Sequence, residues 1–392
     1  MPAPDLLFVG HGAERSGPPV YLANLEGWLA ANTDLDLATV LARGGPLAAV
    51  YEGFGPVRVL DRERSPGRVV ERALTAVGRR SSAAAIRSRR DRRCLGDWSS
   101  VGAVYVNTVS SPTLRVLAAV PDRGPLVITH VHELEAALRY GITDEERSLV
   151  LARSDHFVAA SQAVADNLVA NHGVEPGRIA VHHEFVTPVE PVAGPERAAA
   201  RRALGLAPDA FVVGGSGMLE WRKAPELFVR LAADLRARTD RELAFVWVGG
   251  AAAGPTWAPL DHEARHLGVV DVVRFVGGQE RPGDWFRVLD AFALTSREDA
   301  FPLAALEAGS AGVPIVTFDT GGMVELVGDV DPTAIVPYPD TAAFAEVLGN
   351  MADDEVRRTT IAAATAAAVR ARHLTEVGAP ALWADLRRWL GR

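Results

Sequence analysis

Short, unbroken apolar runs recur along the whole chain, separated by stretches with helical periodicity. Leu6–Gly10, Leu37–Leu41, Val104–Asn107, Leu126–His130 and His156–Ala160 read as buried strands. A second series follows in Phe211–Gly215, Leu243–Val248, Val272–Val276, Ala291–Leu294 and Pro314–Phe318. Between strands, Leu22, Leu25 and Leu29 share one helical face, and Leu227, Leu231 and Leu235 share another. Strand and helix in alternation predict an α/β protein whose sheets are parallel and covered on both sides. Two such series in 392 residues predict two Rossmann-like domains. The interval Val186–Glu196 is proline-rich and aperiodic, and reads as the linker. The expected division is 1–188, 189–372 and a closing helical segment 373–392, in which Leu382, Leu386, Trp389 and Leu390 are apolar. Two sheet domains of this kind hold a ligand cleft at the carboxyl ends of their strands.

Composition narrows the function. No run reaches the 18 apolar residues that a spanning helix needs. The first residues carry no basic stretch ahead of their short apolar run, which reads as a strand and not a signal peptide. A lone cysteine, Cys94, excludes an internal disulfide and a cysteine metal cluster, so a cytoplasmic location is expected. A net charge of −8 argues against general nucleic-acid binding. From Arg79 to Arg93, however, seven arginines stand against one acid, Asp91. This segment reads either as a solvated helical face or as a basic rim that meets an anionic membrane or an anionic acceptor.

The stretch from Asp290 to Glu325 carries the most chemistry. It reads as a strand, a polar turn, a helix start, a second strand and a glycine turn. Asp299 and Glu307 lie eight residues apart across the helix start. Pro302 suits the first helical position, where its missing N–H costs nothing. The N–H groups of Leu303 and Ala304 would then be free to bind an anion at the positive end of the helix. Glu307, one turn in, could accept hydrogen bonds from sugar hydroxyls. Upstream, Arg222 and Lys223 lie between a strand and the helix near Pro225, and paired cations there can neutralise a diphosphate leaving group. A phosphate site beside a carboxylate predicts a nucleotide ligand.

These motifs resemble those of the retaining glycosyltransferases of family 4, which have the GT-B fold. Asp299, Phe301, Pro302, Leu303 and Glu307 occupy the places of E-x-F-G-L-x-x-x-E, with Asp for the first acid and Pro for the usual Gly. Glu298 is one residue too far from Glu307 to replace Asp299. Gly217 and Lys223 match the family's G-R-x-x-x-x-K-G, where Met218 takes the Arg place, Ala224 the last Gly, and Arg222 supplies the missing cation. Gly321, Gly322 and Glu325 resemble G-G-x-x-E. Ser16, Gly17 and Pro19 take the places of S-x-G-x-P in the glycine-rich loop that faces donor and acceptor. His132-Glu133, at the end of a strand, resembles the His-Asp/Glu pair whose His contacts the donor sugar, with His130 and Asn107-Thr108 on the same rim.

The resemblance implies a sugar-nucleotide-dependent transferase that takes a UDP- or GDP-sugar and passes the sugar to a hydroxyl acceptor. Asp299, His132 and Lys223 are then the catalytic candidates. Arg222, Lys223, Glu307, Leu303, Gly17, Gly249 and Gly277 are the donor-binding ones. It also implies that the last helix crosses back to the first domain. Neither a metal nor another cofactor is expected, because the cations take the metal's place. Two alternatives use the same fold: a sugar-nucleotide epimerase that needs no acceptor, and a non-catalytic nucleotide-sugar binder. The segment His262-Glu263-Ala264-Arg265-His266 matches the zinc pattern HExxH, but Arg265 brings positive charge to any metal there and no third ligand is evident.

Overall fold

Strands form where the apolar runs fall. The computed structural model describes residues 4–61, 66–96, 98, 101–121 and 124–392. Its first sheet has seven strands: β1 (Leu6–Gly10), β2 (Leu37–Leu41), β3 (Val57–Val59), β4 (Ala103–Asn107), β5 (Leu126–Val131), β6 (His156–Ala159) and β7 (Ile179–Val181). The order is β3-β2-β1-β4-β5-β6-β7, with every neighbouring pair parallel. The second sheet has β8 (Phe211–Ser216), β9 (Leu243–Val248), β10 (Val273–Gly277), β11 (Ala291–Leu294), β12 (Ile315–Phe318) and β13 (Ile335–Val336). Its order is β10-β9-β8-β11-β12-β13, again parallel throughout. The predicted α/β class with two Rossmann-like parallel sheets is the observed one.

Central strands β1, β2 and β4 are buried along their whole length, as continuous apolar runs require when helices cover both faces. Three strands were not predicted, and all three are sheet edges. β3 and β7 are three residues long and only half-buried, and β13 has two residues. So short a strand leaves no pattern above its polar flanks. The helix Gly17–Asn32 buries Leu22, Leu25 and Leu29, and Pro225–Arg236 buries Leu227, Leu231 and Leu235, the faces read from their spacing. Each such side chain contributes about 1.5–3 kcal/mol by leaving water.

The chain divides into two compact units, Met1–His183 with Gly378–Arg392, and Glu184–Val377. The proline-rich interval lies at the start of the second unit, where Val186 N–H donates to His373 O (2.9 Å) and Thr375 N–H to Val186 O (3.0 Å). In the first unit the end of the helix Thr375–Trp389 buries Leu382 and Leu386. Asp385 bonds His182 at 2.9 Å, and Trp389 stacks on His156 with centroids 4.4 Å apart.

In both sheets the strand order reverses once, between β1 and β4 and between β8 and β11. Chains leaving neighbouring strands at such a reversal run to opposite sides of the sheet and leave a crevice at the carboxyl ends. In the second sheet the segments that follow β8 and β11 border that crevice.

Candidate functional site

β8 ends at Ser216 and β11 at Leu294, so Gly217–Ala224 and Thr295–Pro302 flank the reversal of the second sheet. The two segments are stitched together. Arg297 donates from its backbone N–H to Arg222 O (2.8 Å) and from Nη1 to Trp221 O (2.6 Å). Thr295 Oγ1 lies 3.3 Å from both Lys223 O and Ala224 O. Arg297 also lies over the Trp221 ring, 5.1 Å from its centroid, pairs with Glu226, and reaches Tyr338 OH at 3.0 Å. Four successive carbonyls of the cation-bearing turn are thus held by two residues after β11. Sequence reasoning missed Thr295 and Arg297, because neither stands in a recognisable motif and each acts across 71 to 76 residues of chain.

This stitching brings three predicted residues into one cluster. Lys223 Nζ lies 2.5 Å from Asp299 Oδ2, and Arg222 Nη1 lies 3.3 Å from Asp299 Oδ1. Ser296 Oγ donates to Asp299 Oδ2 at 3.0 Å, a further partner that the sequence did not single out. Arg222 also donates to the Glu298 carbonyl and to Glu220 Oε1. Burial by itself would raise the Asp299 carboxyl, but Lys223 and then Arg222 outweigh it and hold Asp299 below the usual aspartate value. Burial pulls Lys223 below the ordinary lysine value, against the pull of Asp299. Two cations share this one buried carboxylate, and the more exposed Glu220 pairs with the second of them, Arg222. The ammonium has three donors and the guanidinium five, so both have capacity for an anion while still holding Asp299.

Pro302 is the N-cap of the helix Leu303–Ser310, with ψ 124°, one position earlier than predicted. The helical turn tightens on it, since Ala305 and Leu306 N–H donate to its carbonyl. The N–H groups of Leu303 and Ala304 take no acceptor among the described residues, as a helix start leaves them. Glu307 lies one turn further along. Its side chain is half-buried and meets no donor among the described residues, and burial pushes its carboxyl up to about 7. A carboxylate desolvated without a partner is costly, and hydroxyl donors from a ligand would relieve that cost.

The glycines have backbone reasons for their identity. Gly321 has φ +67°, and a Cβ there would lie 2.1 Å from Asp299 O, to which Gly322 N–H donates at 3.0 Å. The Gly-Gly turn is therefore the seat on which the Asp299 backbone rests. Gly249 has φ +112° and approaches Gly217 so closely that a Cβ would lie 2.7 Å from its carbonyl oxygen. Gly249 N–H donates to Gly277 O (2.8 Å), which ties the ends of β9 and β10. Close backbone approach accounts for Gly249 without a ligand. Ala224, where the family pattern has Gly, is buried with φ +50°, a left-handed conformation that costs a Cβ-bearing residue about 1–2 kcal/mol.

In the first unit the predicted residues gather at the other reversal. His132 Nε2 lies 2.9 Å from Asn107 Oδ1, and Asn107 Nδ2 donates to Pro18 O at 2.9 Å, next to Gly17 at the start of its helix. Because Asn107 turns its amide group to Pro18, its oxygen accepts from His132 Nε2–H. Glu133 is committed inward. It accepts from Val109 N–H (3.0 Å), His132 N–H (2.9 Å) and the hydroxyl of Thr108, which sits at φ +79°. Its carboxyl is raised chiefly by burial. His130 is fully buried on Tyr105 OH (2.7 Å), and burial followed by His132 lowers it well below the ordinary histidine value, so it is neutral. His132 and Gly17 thus belong to the first unit, while Asp299, Lys223, Arg222, Leu303, Glu307, Gly249 and Gly277 belong to the second. In the HExxH segment His262 and His266 are exposed, and Glu263 lies 3.5 Å from Arg230.

Comparison with known proteins places this geometry. The profile described as "Glycosyltransferase Family 4" matches residues 17–189, and that described as "Glycosyl transferases group 1" matches 196–367. A D-inositol 3-phosphate glycosyltransferase of Streptomyces avermitilis is 36% identical over 234 residues, covering 56% of this chain and 50% of the relative. A second from Streptomyces bingchenggensis is 32% identical over 281 residues, covering 66% and 62%. The alignment with the first of these spans half of that relative's length. Among solved structures, Anabaena Alr3699/HepE in complex with UDP-glucose superposes with TM-score 0.78 at 17% identity, covering 98% of this chain and 100% of that one. WaaG, a glycosyltransferase involved in lipopolysaccharide biosynthesis, superposes with TM-score 0.72 at 14% identity, covering 96% and 98%. The neighbours share the two-sheet fold, the two profiles in tandem account for most of the sequence, and the chain belongs to the group 1, family 4 glycosyltransferases.

Proposed function

We propose that this protein is a retaining glycosyltransferase that moves a sugar from a nucleoside-diphosphate sugar to a hydroxyl acceptor. The observation that carries the reading is the convergence of Lys223 and Arg222 on Asp299 at the reversal of the second sheet. As the bond between the anomeric carbon and the diphosphate oxygen breaks, negative charge grows on the diphosphate. The ammonium and guanidinium, with the Leu303 and Ala304 N–H groups, are fixed donors for that charge, and preorganised donors of this kind act most strongly on the transition state. Asp299 holds the two cations in place and offers its oxygens to hydroxyls of the transferred sugar. Glu307 accepts from the ribose. The acceptor hydroxyl attacks the face the diphosphate leaves and passes its proton to the departing phosphate oxygen, so the anomeric configuration is retained. In the first unit, taken by itself, His132 directs its Nε2 proton to Asn107, and Asn107 holds the Pro18 carbonyl beside Gly17.

No divalent ion is needed in this scheme, because two side-chain cations and a helix start supply the positive charge. The UDP-glucose complex of the Anabaena protein makes UDP-sugars the first donors to test. The names of the Streptomyces relatives make a phosphorylated inositol one of the first acceptors to test. The test is melting temperature across a panel of UDP- and GDP-sugars, followed by turnover with an acceptor panel in EDTA and NMR of the product anomer. Raised melting with one donor and a product of unchanged anomeric configuration are expected. An inverted product overturns the retaining mechanism. Isomerised donor without acceptor assigns an epimerase, and binding without transfer to any acceptor assigns a non-catalytic binder.

A further inference from the structure

The helices Pro66–Ala76 and Arg80–Leu95 pack against each other, the second of them beside the edge strand β3. In the first helix Val69, Arg72, Ala73 and Ala76 recur at the spacing of one helical face, which Val77 extends, and all are exposed. Val69 and Val77 are each 70% exposed and Val70 is 49% exposed. An ordinary surface helix turns such a stripe toward its own core. Here the polar Glu71 turns inward instead, and its carboxylate accepts from Arg87 Nε (2.5 Å) and Arg90 Nη1 (2.9 Å). The other acid of the pair, Asp91, is buried and accepts from Arg115 Nε at 2.6 Å.

Both acids of this helical pair are therefore neutralised inside the fold. Arg72, Arg79, Arg80, Arg89, Arg92 and Arg93 are exposed, and none forms an ion pair among the described residues. In a chain of net charge −8 this is a local concentration of positive charge on the same helical pair as the exposed valines.

We propose that this helical pair is a peripheral docking surface for an anionic lipid bilayer. Lipid phosphates complement the arginines, whose stems can lie along the headgroups while the guanidinium groups stay hydrated. The valines decide between a bilayer and a soluble polyanion. A polyanion in water would neutralise the arginines and leave the valines wet, whereas the acyl boundary of a membrane buries them. No described helix is long and apolar enough to cross a membrane, so the contact lies in the interface. The inference does not depend on the transferase reading, and its test needs no turnover.

The test is co-sedimentation of the whole chain with vesicles of phosphatidylcholine alone or mixed with phosphatidylglycerol. At least ~10-fold tighter binding to the mixed vesicles is expected, weakening with salt. Arg89→Gln/Arg92→Gln/Arg93→Gln should weaken that binding roughly 10²-fold, at about fivefold per charge. Val69→Gln/Val77→Gln leaves the charge unchanged and should still weaken it about 10-fold. All five positions are exposed, so unchanged melting curves confirm that the variants fold. Absence of binding to the mixed vesicles at low salt overturns the proposal. So does equal binding of the valine variant, and heparin competition that ignores the valines would assign a soluble polyanion instead.

Discussion

Lys223 Nζ lies 2.5 Å from Asp299 Oδ2, joining two residues 76 positions apart in the sequence. Each is nearly enclosed, with side-chain exposures of 14% and 9%. Breaking a buried pair by removing one partner typically costs ~3–5 kcal/mol. Arg222 and Ser296 still hold Asp299 after Lys223 is removed, so the loss of stability falls at the low end of that range or below it. In the proposed reaction the lysine also meets the growing charge of the leaving group, which its removal leaves to Arg222 and the helix start. Lys223→Ala should lower turnover by roughly 10²-fold or more while lowering the melting temperature only modestly. Steady-state kinetics beside a melting curve checks both, and full turnover in the variant would refute the assignment.

Glu307 gives a pH signature. Its carboxyl is raised to about 7 by burial, so the stability it contributes is fully present below the unfolded value near 4.5 and is lost as pH rises through about 7. Nucleotide binding should run the other way, because the ionised carboxylate is the better acceptor for ribose hydroxyls. Calorimetric affinity for the nucleoside diphosphate is expected to rise through about pH 7. Glu307→Gln should weaken binding at pH 8 and remove the carboxylate's part of that rise. The difference between the two curves is the readout, since the phosphate also titrates; superimposable curves would exclude Glu307 from the site.

Arg297 positions the cation-bearing turn through its backbone carbonyls. It holds the carbonyls of Trp221 and Arg222 and lies over the Trp221 ring. Arg297→Met removes the guanidinium contacts but keeps the backbone bond to Arg222. The donor KM should rise about 10-fold, with a smaller fall in kcat, as expected when ground-state and transition-state binding are loosened together. Arg297→Lys cannot span the same forked set of partners and should recover little. Unchanged donor KM in the methionine variant would reduce Arg297 to a surface contact.

Glu26 offers a test in the first unit that is separate from catalysis. It is buried on the helix Gly17–Asn32 and accepts from Thr39 Oγ1 at 2.7 Å, while Oε1 finds no partner among the described residues. Burial raises its carboxyl to about 8, against the Thr39 bond. Its contribution to stability is therefore present in acid and is lost as pH rises through about 8. Glu26→Gln removes the ionisation, so it should melt close to wild type near pH 4, below the unfolded value, and increasingly above wild type as pH rises to 9. Parallel melting curves of the two proteins across that range would show that Glu26 does not titrate there.

The repeating apolar runs and the faces of two helices were legible in the sequence, because a strand covered on both sides must be apolar throughout and a helix must bury one stripe. Arg222, Lys223, Asp299 and Glu307 were legible as chemistry for the same local reason: cations after one strand and carboxylates around a helix start are motifs of contiguous residues. Strand order was not legible, and strand order is what places the end of β8 beside the end of β11. Only tertiary structure could show that Lys223 and Asp299 neutralise each other, that Arg297 and Thr295 clamp the cation turn, and that Gly321 makes room for the Asp299 carbonyl. It also showed that the valines near residue 70 face outward, a choice a periodic pattern leaves open. Spacing along the chain determines which side chains share a face. Which surface that face meets depends on packing between segments far apart in sequence, and no local pattern encodes it.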